Sequence, residues 1–307
     1  WSSDVCSSDL DKDYVAAVNI ASAPTGQLIP PSNTLIVYAT VAGSVSVAAL
    51  FMAGYIPGIA WGISLMFIAG YMAKKRGYVS TFSVTPKEAL KVLWDALPSL
   101  LLIIIVIGGI LKGVFTATEG SAIAVVYALI LSLCYRSLKI KDLPSIILSS
   151  CKTTCIVIFM IGVSSIMSWV MAYTMIPTAI ANAMLSLSSN KYVILLLMNV
   201  ILLVVGTFMD PTPAVLIFTP IFLPICQSFG MDPVQFGIMI VFNLCIGTIT
   251  PPVGVILFTG CKVVGISIEG VIKTLLPFFA AIAVVLLLVT YVPAMSMWIP
   301  SMLGLVK

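Results

Sequence analysis

Two stretches decide the fold: Gly26-Gln27-Leu28-Ile29-Pro30-Pro31 and Gly247-Thr248-Ile249-Thr250-Pro251-Pro252. Each interrupts an apolar run. Two consecutive prolines remove two backbone donors and push the residue before them out of helical geometry, so each stretch predicts a helix broken in mid-course. The prolines stand 221 positions apart, 251 against 30, and the likeness continues beyond them. Val41-Ala42-Gly43 and Ser46 match Val263-Val264-Gly265 and Ser267, and Pro57 matches Pro277, with slips of about one residue. A Gly-x-x-x-Pro-Pro pattern by itself is weak. Repeated in the same order ahead of an interfacial piece and a long apolar span, it marks an internal duplication.

Composition names the solvent. Of 307 residues, 61% are apolar and 8% charged, where a soluble domain carries about a quarter charged. Too little polar surface is available to cover a body in water, so the expected class is an all-α polytopic membrane protein in a lipid bilayer. The absence of histidine excludes Ser-His-Asp hydrolysis, histidine-ligated zinc and imidazole proton shuttling. No nucleophile-base pair stands at membrane depth, which argues against an enzyme. Cys151 and Cys155 share a helix face but lack a third ligand, so neither a transition metal nor a cofactor is expected. The net charge of +4 is too small and dispersed for nucleic acid.

Residues 1–10 are polar and Ser-rich, do not continue into the apolar segment after them, and read as a non-native addition. Residues 11–73 form the end of a first repeat: the broken helix (14–29 and 34–43) and a span (47–72). Residues 74–95 form a loop with an amphipathic interfacial helix at 86–95, opened by Thr85 as N-cap. Residues 96–307 form the second repeat. It holds scaffold spans at 97–115, 119–135 and 153–173, interfacial pieces at 143–150 and 268–273, a re-entrant hairpin at 192–229, a broken helix at 234–265 and a last span at 275–292. The basic clusters Lys74-Lys75-Arg76 and Arg136, Lys139, Lys141 lie on one side of the membrane with two crossings between them, cytoplasmic by the positive-inside rule. Counted from there, the two broken helices run in opposite directions. Inverted repeats, each with a discontinuous helix, point to a secondary transporter whose site lies between them. A hairpin precedes the second break, and the duplication asks for a matching one before the first, so the chain is expected to lack an N-terminal portion.

The hairpin reads as two apolar arms of roughly 14 to 17 residues, where a full span needs about 20. They flank Gly206-Thr207-Phe208-Met209-Asp210-Pro211-Thr212-Pro213, and the second arm is broken again at Pro220 and Pro224. Non-helical backbone at that depth is tolerated only where it is buried in protein or lines a cavity. Freed carbonyls, hydroxyls and one carboxylate gather at the tip and the breaks. This hard-oxygen environment suits a small cation, while the half-helix N-termini suit an anionic substrate. Each candidate also has a structural alternative: Asp210 as a helix cap or tip staple, Ser32-Asn33-Thr34 as capping of the continuing half-helix, and Thr248 and Thr250 with a similar balance. Glu119 reads as a first-turn helix charge, Lys112 as a snorkelling side chain, and Trp94 and Trp298 as interfacial anchors.

The stretches GQLIPPS (26–32), FTATEG (115–120), GTFMDPTPA (206–214), DPVQFG (232–237) and NLCIGTITPPVG (243–254) resemble the large membrane subunit of the tripartite ATP-independent periplasmic (TRAP) transporters, the DctM-like permeases. The resemblance covers residues 11–305. It implies an elevator-type, sodium-coupled importer of small organic acids such as C4-dicarboxylates or sugar acids, multi-pass in the bacterial inner membrane. Such a permease works with a small DctQ-like membrane subunit and a periplasmic solute-binding protein. The resemblance implies a cation site from Gly206, Asp210, Thr212, Thr250 and Gly254, and half of a second from Gly26, Pro30, Ser32 and Asn33. Gly26 and Pro30, with Thr34, Thr248 and Pro251, are the candidate substrate contacts. Asn33 stands where the family more often has an apolar residue. A carboxylate permease of the wider ion-transporter group, working without a binding protein, is the alternative; a membrane-embedded enzyme or a scaffold is a third.

Overall fold

Helix α1 (Lys12–Ser22) stops directly before Ala23-Pro24, and α2 (Thr25–Leu28), α3 (Asn33–Ala42) and α4 (Val47–Arg76) follow it. The computed structural model describes residues 10–43, 45–78, 86–175, 179–180, 182–183 and 190–306. Further along come α5 (Pro86–Leu111), α6 (Ala117–Cys134), a 3-10 turn (Ile140–Asp142) and α7 (Leu143–Tyr173). Then follow α8 (Lys191–Phe208), α9 (Pro211–Ser228), α10 (Pro233–Ile249), α11 (Val255–Val264), α12 (Ile268–Tyr291) and α13 (Ala294–Met302). Among the described residues there is no strand, and seven helices are long and apolar enough to cross a membrane. The chain is a multi-pass, all-α membrane protein.

The two Pro-Pro stretches share local backbone features. Pro30-Pro31 and Pro251-Pro252 are both cis. Gly43 ends α3 and Gly265 ends α11, each in the left-handed conformation. Ser46 then caps α4 through Ala49 N–H, and Ser267 caps α12 through Gly270 N–H. Pro57 and Pro277 lie inside those two long helices.

Several boundaries differ from the sequence expectation. The first broken helix has an additional break at Ala23-Pro24. Residues 86–95 and 97–115, read as an interfacial piece and a span, fall on one helix that runs through Pro98 and ends at Leu111. The same holds for 143–150 with 153–173, and for 268–273 with 275–292, where the helix ends at Tyr291. A change in amphipathicity marks where the solvent changes, not where the backbone breaks. Helix α9 likewise continues through Pro220 and Pro224. Both hairpin arms have 18 residues, more than expected, because the polar tip is itself helical up to Phe208 and again from Pro211. Helix α13 has no counterpart in the sequence reading. Residues 1–9, Thr85 and most of the 176–190 connection lie outside the described residues.

By internal contacts the chain divides into two units, Trp1–Tyr78 with Ser164–Lys307, and Val79–Val163. In the second, α5 and α6 pack together, and Tyr127 Oη donates to Pro98 O at 2.7 Å. Helix α6 opens with a capping box, Thr116 N–H to Glu119 Oε2 at 2.7 Å and Glu119 N–H to Thr116 Oγ1 at 3.3 Å, so Glu119 is the first-turn charge its position suggested.

The first unit is built around α10, buried at every position from Val234 to Ile249. A helix apolar all round has no outward face and belongs at the centre. Helices α8, α9, α12 and α4 pack on it. Tyr38 lies over Gly237, where a Cβ would meet its ring at 2.4 Å, and its hydroxyl donates to Pro233 O at 2.6 Å. Trp61, fully buried, stacks obliquely on Phe242 with centroids 4.7 Å apart and donates its indole N–H to Ala21 O, just ahead of the Ala23-Pro24 break. Away from this core, Ile59, Ile63, Met66, Phe67 and Tyr71 form an exposed apolar stripe along α4 at helical spacing, which only an apolar solvent or partner can cover.

One end of the unit is tied by charge. The Arg76 guanidinium grips both Asp13 carboxylate oxygens, at 2.7 and 2.9 Å, and reaches Asp11 at 3.0 Å and Thr274 Oγ1 at 3.1 Å. The Thr274 hydroxyl itself donates to Asp13. This bidentate fork holds the Asp13 carboxyl down at about 2, below its ordinary 3.8.

Candidate functional site

The hairpin tip rests on the second break, backbone to backbone. A Cβ on Gly247 would sit 2.4 Å from Gly206 C, and one on Gly206 would sit 3.1 Å from Gly247 Cα. The last turns of α8 and α10 therefore cross at a glycine pair. Gly254, at φ +47, a conformation open chiefly to glycine, donates its N–H to Thr207 O at 3.0 Å and fastens the tip to the far side of the break.

Because α8 and α10 both end here, two helix C-termini converge, each with unpaired carbonyls and the negative end of its dipole. A Gly254 Cβ would meet Thr250 O at 2.8 Å and Thr248 O at 3.0 Å, so two of these carbonyls lie beside Gly254 together with Thr207 O. Helix α9 starts just behind Asp210, and α11 starts just behind Gly254, which brings two helix N-termini to the same neighbourhood. Paired carbonyl ends favour a cation, and paired N–H ends favour an anion.

The individual side chains divide between structural and available roles. Asp210 caps α9, with Oδ1 accepting from Thr212 N–H at 3.1 Å. Its Oδ2 and the Thr212 hydroxyl have no partner among the described residues. The Thr248 and Thr250 hydroxyls donate to Cys245 O and Ile246 O, both at 2.7 Å, leaving their oxygen lone pairs unused. At the first break, Ser32 Oγ accepts from Leu35 N–H at 3.3 Å and donates to Gln27 O, so it acts as the cap. Asn33, Gly26 and Pro252 are exposed, Pro30 and Thr34 buried, and Pro251 half-buried.

Two features escaped the sequence. First, Cys245 on α10 donates its thiol to Gln27 Oε1 at 3.2 Å, so the two breaks lie side by side. Second, a buried amide ladder joins three helices. Asn243 Nδ2 donates to Asn199 O at 3.0 Å and Asn199 Oδ1 at 2.7 Å, Asn199 Nδ2 donates to Thr290 Oγ1 at 3.0 Å, and Gln235 Nε2 donates to Thr290 O at 3.1 Å. Asn243 is fully buried and its Oδ1 has no partner among the described residues. The signal was present as lone amides inside apolar runs, which at membrane depth demand partners.

A protein-family model described as "Tripartite ATP-independent periplasmic transporter, DctM component" matches residues 6–295. The uncharacterized protein YgiK of Salmonella typhimurium is 52% identical over 289 residues, 94% of this chain and 66% of YgiK. The isethionate TRAP transporter permease protein DctMQ of Oleidesulfovibrio alaskensis is 40% identical over 289 residues, 94% of this chain and 45% of DctMQ. The C4-dicarboxylate TRAP transporter large permease protein DctM of Pseudomonas aeruginosa is 38% identical over 293 residues, 95% of this chain and 68% of DctM. The chain thus spans about two thirds of YgiK and of that DctM, and less than half of DctMQ.

Proposed function

Because this chain belongs to the DctM family of tripartite ATP-independent periplasmic transporter components, a family of transport components and not of enzymes, we propose that it is the substrate-carrying part of a sodium-coupled importer of small organic acids. The observation that supports this reading is the docked hairpin tip, where the carbonyl ends of α8 and α10 meet at Gly206 and Gly247. A monovalent cation seated by Thr207, Thr248 and Thr250 carbonyls, with Asp210 Oδ2 supplying the compensating charge, holds the tip against the break. The acid then binds at the neighbouring N-termini of α9 and α11. Coupling arises because cation and acid each favour the docked form. Ser32 and Asn33 extend toward a second cation site at the first break, with Gly26, Pro30, Thr34 and Pro251 facing the substrate.

The relatives named for isethionate and C4-dicarboxylates share an anionic group on a small skeleton, and that is the substrate class proposed here. The partners proposed are a small DctQ-like membrane subunit and a periplasmic binding protein, in the inner membrane of a bacterium.

The test is acid uptake by the full-length permease with both partners in proteoliposomes, titrated with sodium. Asp210→Asn keeps the cap on α9 but removes the charge. It should raise the sodium concentration for half-maximal uptake at least about ten-fold, with the thermal midpoint held. Unchanged uptake across the titration sinks the assignment. Full uptake with the binding protein left out points instead to a carboxylate permease that works alone.

A further inference from the structure

We infer that Gln27 reads the substrate, donating from its carboxamide nitrogen to an oxygen of the transported acid, and that Cys245 positions it. This rests on the organic-acid reading above and adds to it a residue on the first break.

Gln27 lies in α2, a four-residue helix between the Ala23-Pro24 and Pro30-Pro31 breaks. Its backbone is fixed from both sides: Gln27 N–H donates to Pro24 O at 2.9 Å, and Gln27 O accepts from the Ser32 hydroxyl. Its side chain crosses to α10, where Oε1 accepts the Cys245 thiol at 3.2 Å. An amide whose oxygen is engaged by a buried donor has Nε2 left as the group that can bond elsewhere. Nε2 has no partner among the described residues, and Gln27 is partly exposed. Next to it, Gly26 is exposed and a Cβ there would meet nothing within 4 Å. The Nε2 donors of Gln27 therefore stand where the two breaks meet, on a side chain anchored to the second break through its oxygen.

The duplication makes the position pointed. Gln27 and Thr248 correspond at the same offset of 221, and both attach to Cys245, Gln27 to its thiol and Thr248 to its carbonyl. The second copy spends its side chain on its own helix, whereas the first copy's longer amide retains free donors. A neutral amide suits a carboxylate or hydroxyl oxygen, and unlike a lysine it does not compete with a coupling cation for the site.

The experiment is initial-rate uptake in proteoliposomes of the full-length permease with its partners, at saturating sodium, varying the acid. Gln27→Ala should raise KM for the acid about ten-fold or more, with the maximal rate and the sodium half-saturation within about two-fold. Gln27→Glu places an anion against an anion and should raise KM further. Cys245→Ser keeps a donor to Oε1 and should stay near wild type, while Cys245→Ala frees the amide to rotate and should fall between wild type and Gln27→Ala. Wild-type KM in Gln27→Ala, or a loss of maximal rate with KM unchanged, overturns the inference. Equal defects in Cys245→Ser and Cys245→Ala overturn the positioning role. If the wild-type protein itself takes up no acid, the functional reading fails, and direct binding of acids to wild type and Gln27→Ala in detergent still separates the two: equal affinities overturn this inference independently.

Discussion

Substituting alanine at Gly247 should undock the hairpin tip, and the structure sets the size of the effect. The added Cβ would lie 2.4, 2.5 and 2.8 Å from the C, Cα and O atoms of Gly206, all backbone atoms that no rotamer change can move. Ordinary contact begins at about 3.4 Å, so the last turn of α8 must retreat by about 1 Å. That retreat stretches the 3.0 Å bond from Gly254 N–H to Thr207 O to roughly 4 Å, outside hydrogen-bonding range. Overpacking of this kind costs about 1–3 kcal/mol, borne by the docked form alone, and lowers its population by roughly 5- to 150-fold. The sodium concentration for half-maximal uptake should rise correspondingly, while uptake at very high sodium recovers. Gly206→Ala is the internal comparison, since its Cβ would lie 3.1 Å from Gly247 Cα and Leu244 O and 3.2 Å from Leu244 Cα, and a shift of a few tenths of an ångström relieves it. Sodium-dependent uptake by the reconstituted full-length permease reads both variants, with thermal unfolding as the control for folding. A Gly247→Ala protein with wild-type sodium dependence, or a Gly206→Ala protein with the larger defect, refutes the docking argument.

Two further tests concern stability. Asn243→Ala removes both donors to Asn199 and leaves Asn199 Oδ1 buried without a partner, at a cost of about 1–3 kcal/mol; an unchanged apparent thermal midpoint would show that the ladder carries no stability. Asp13 has a folded pKa of about 2 against an ordinary 3.8, so its contribution is fully present above about pH 4 and is lost as pH falls toward 2. Asp13→Asn should lower the midpoint at neutral pH and flatten its fall across that acid window, and parallel pH profiles for the two proteins would contradict this.

What the sequence made legible were features written in local backbone chemistry. The Pro-Pro pairs announced both breaks, Asp210 and Ser32 stood where helices restart, and Thr116 with Glu119 marked the start of α6. Pro220 and Pro224 misled because a proline inside a helix forfeits one hydrogen bond and crowds one turn, a local cost of about 3 kcal/mol that packing around a buried arm can outweigh. Gly206 and Gly247 gave no warning that they touch, since a glycine in an apolar run carries no record of what approaches it. The burial of α10 was equally silent. Hydrophobic periodicity reports which face is outward, and a helix without an outward face has no period to report. At the site, Asp210 and Ser32 were legible as caps and as candidates at once. The fold adds their bonding: the Ser32 hydroxyl donates to Gln27 O and accepts from Leu35 N–H, while Asp210 Oδ1 accepts from Thr212 N–H and Oδ2 has no partner among the described residues.

The Arg76 fork also sets an order of events in time. Arg76 and Asp13 both belong to the first copy and can pair as soon as α4 is made, but Thr274 is synthesised 198 residues after Arg76. At roughly 5–20 residues per second, a nascent chain waits about 10–40 s before the last partner arrives. Tyr38 and Gln27 wait similarly for Pro233 and Cys245, separated from them by 195 and 218 residues. The residues around the first break thus wait with polar groups open while about 200 further residues are made, and the segments around the two breaks are interlocked instead of sitting side by side as independently folding modules. A chain that stops before α12 lacks Thr274 and leaves the Arg76–Asp13 cluster without its last partner.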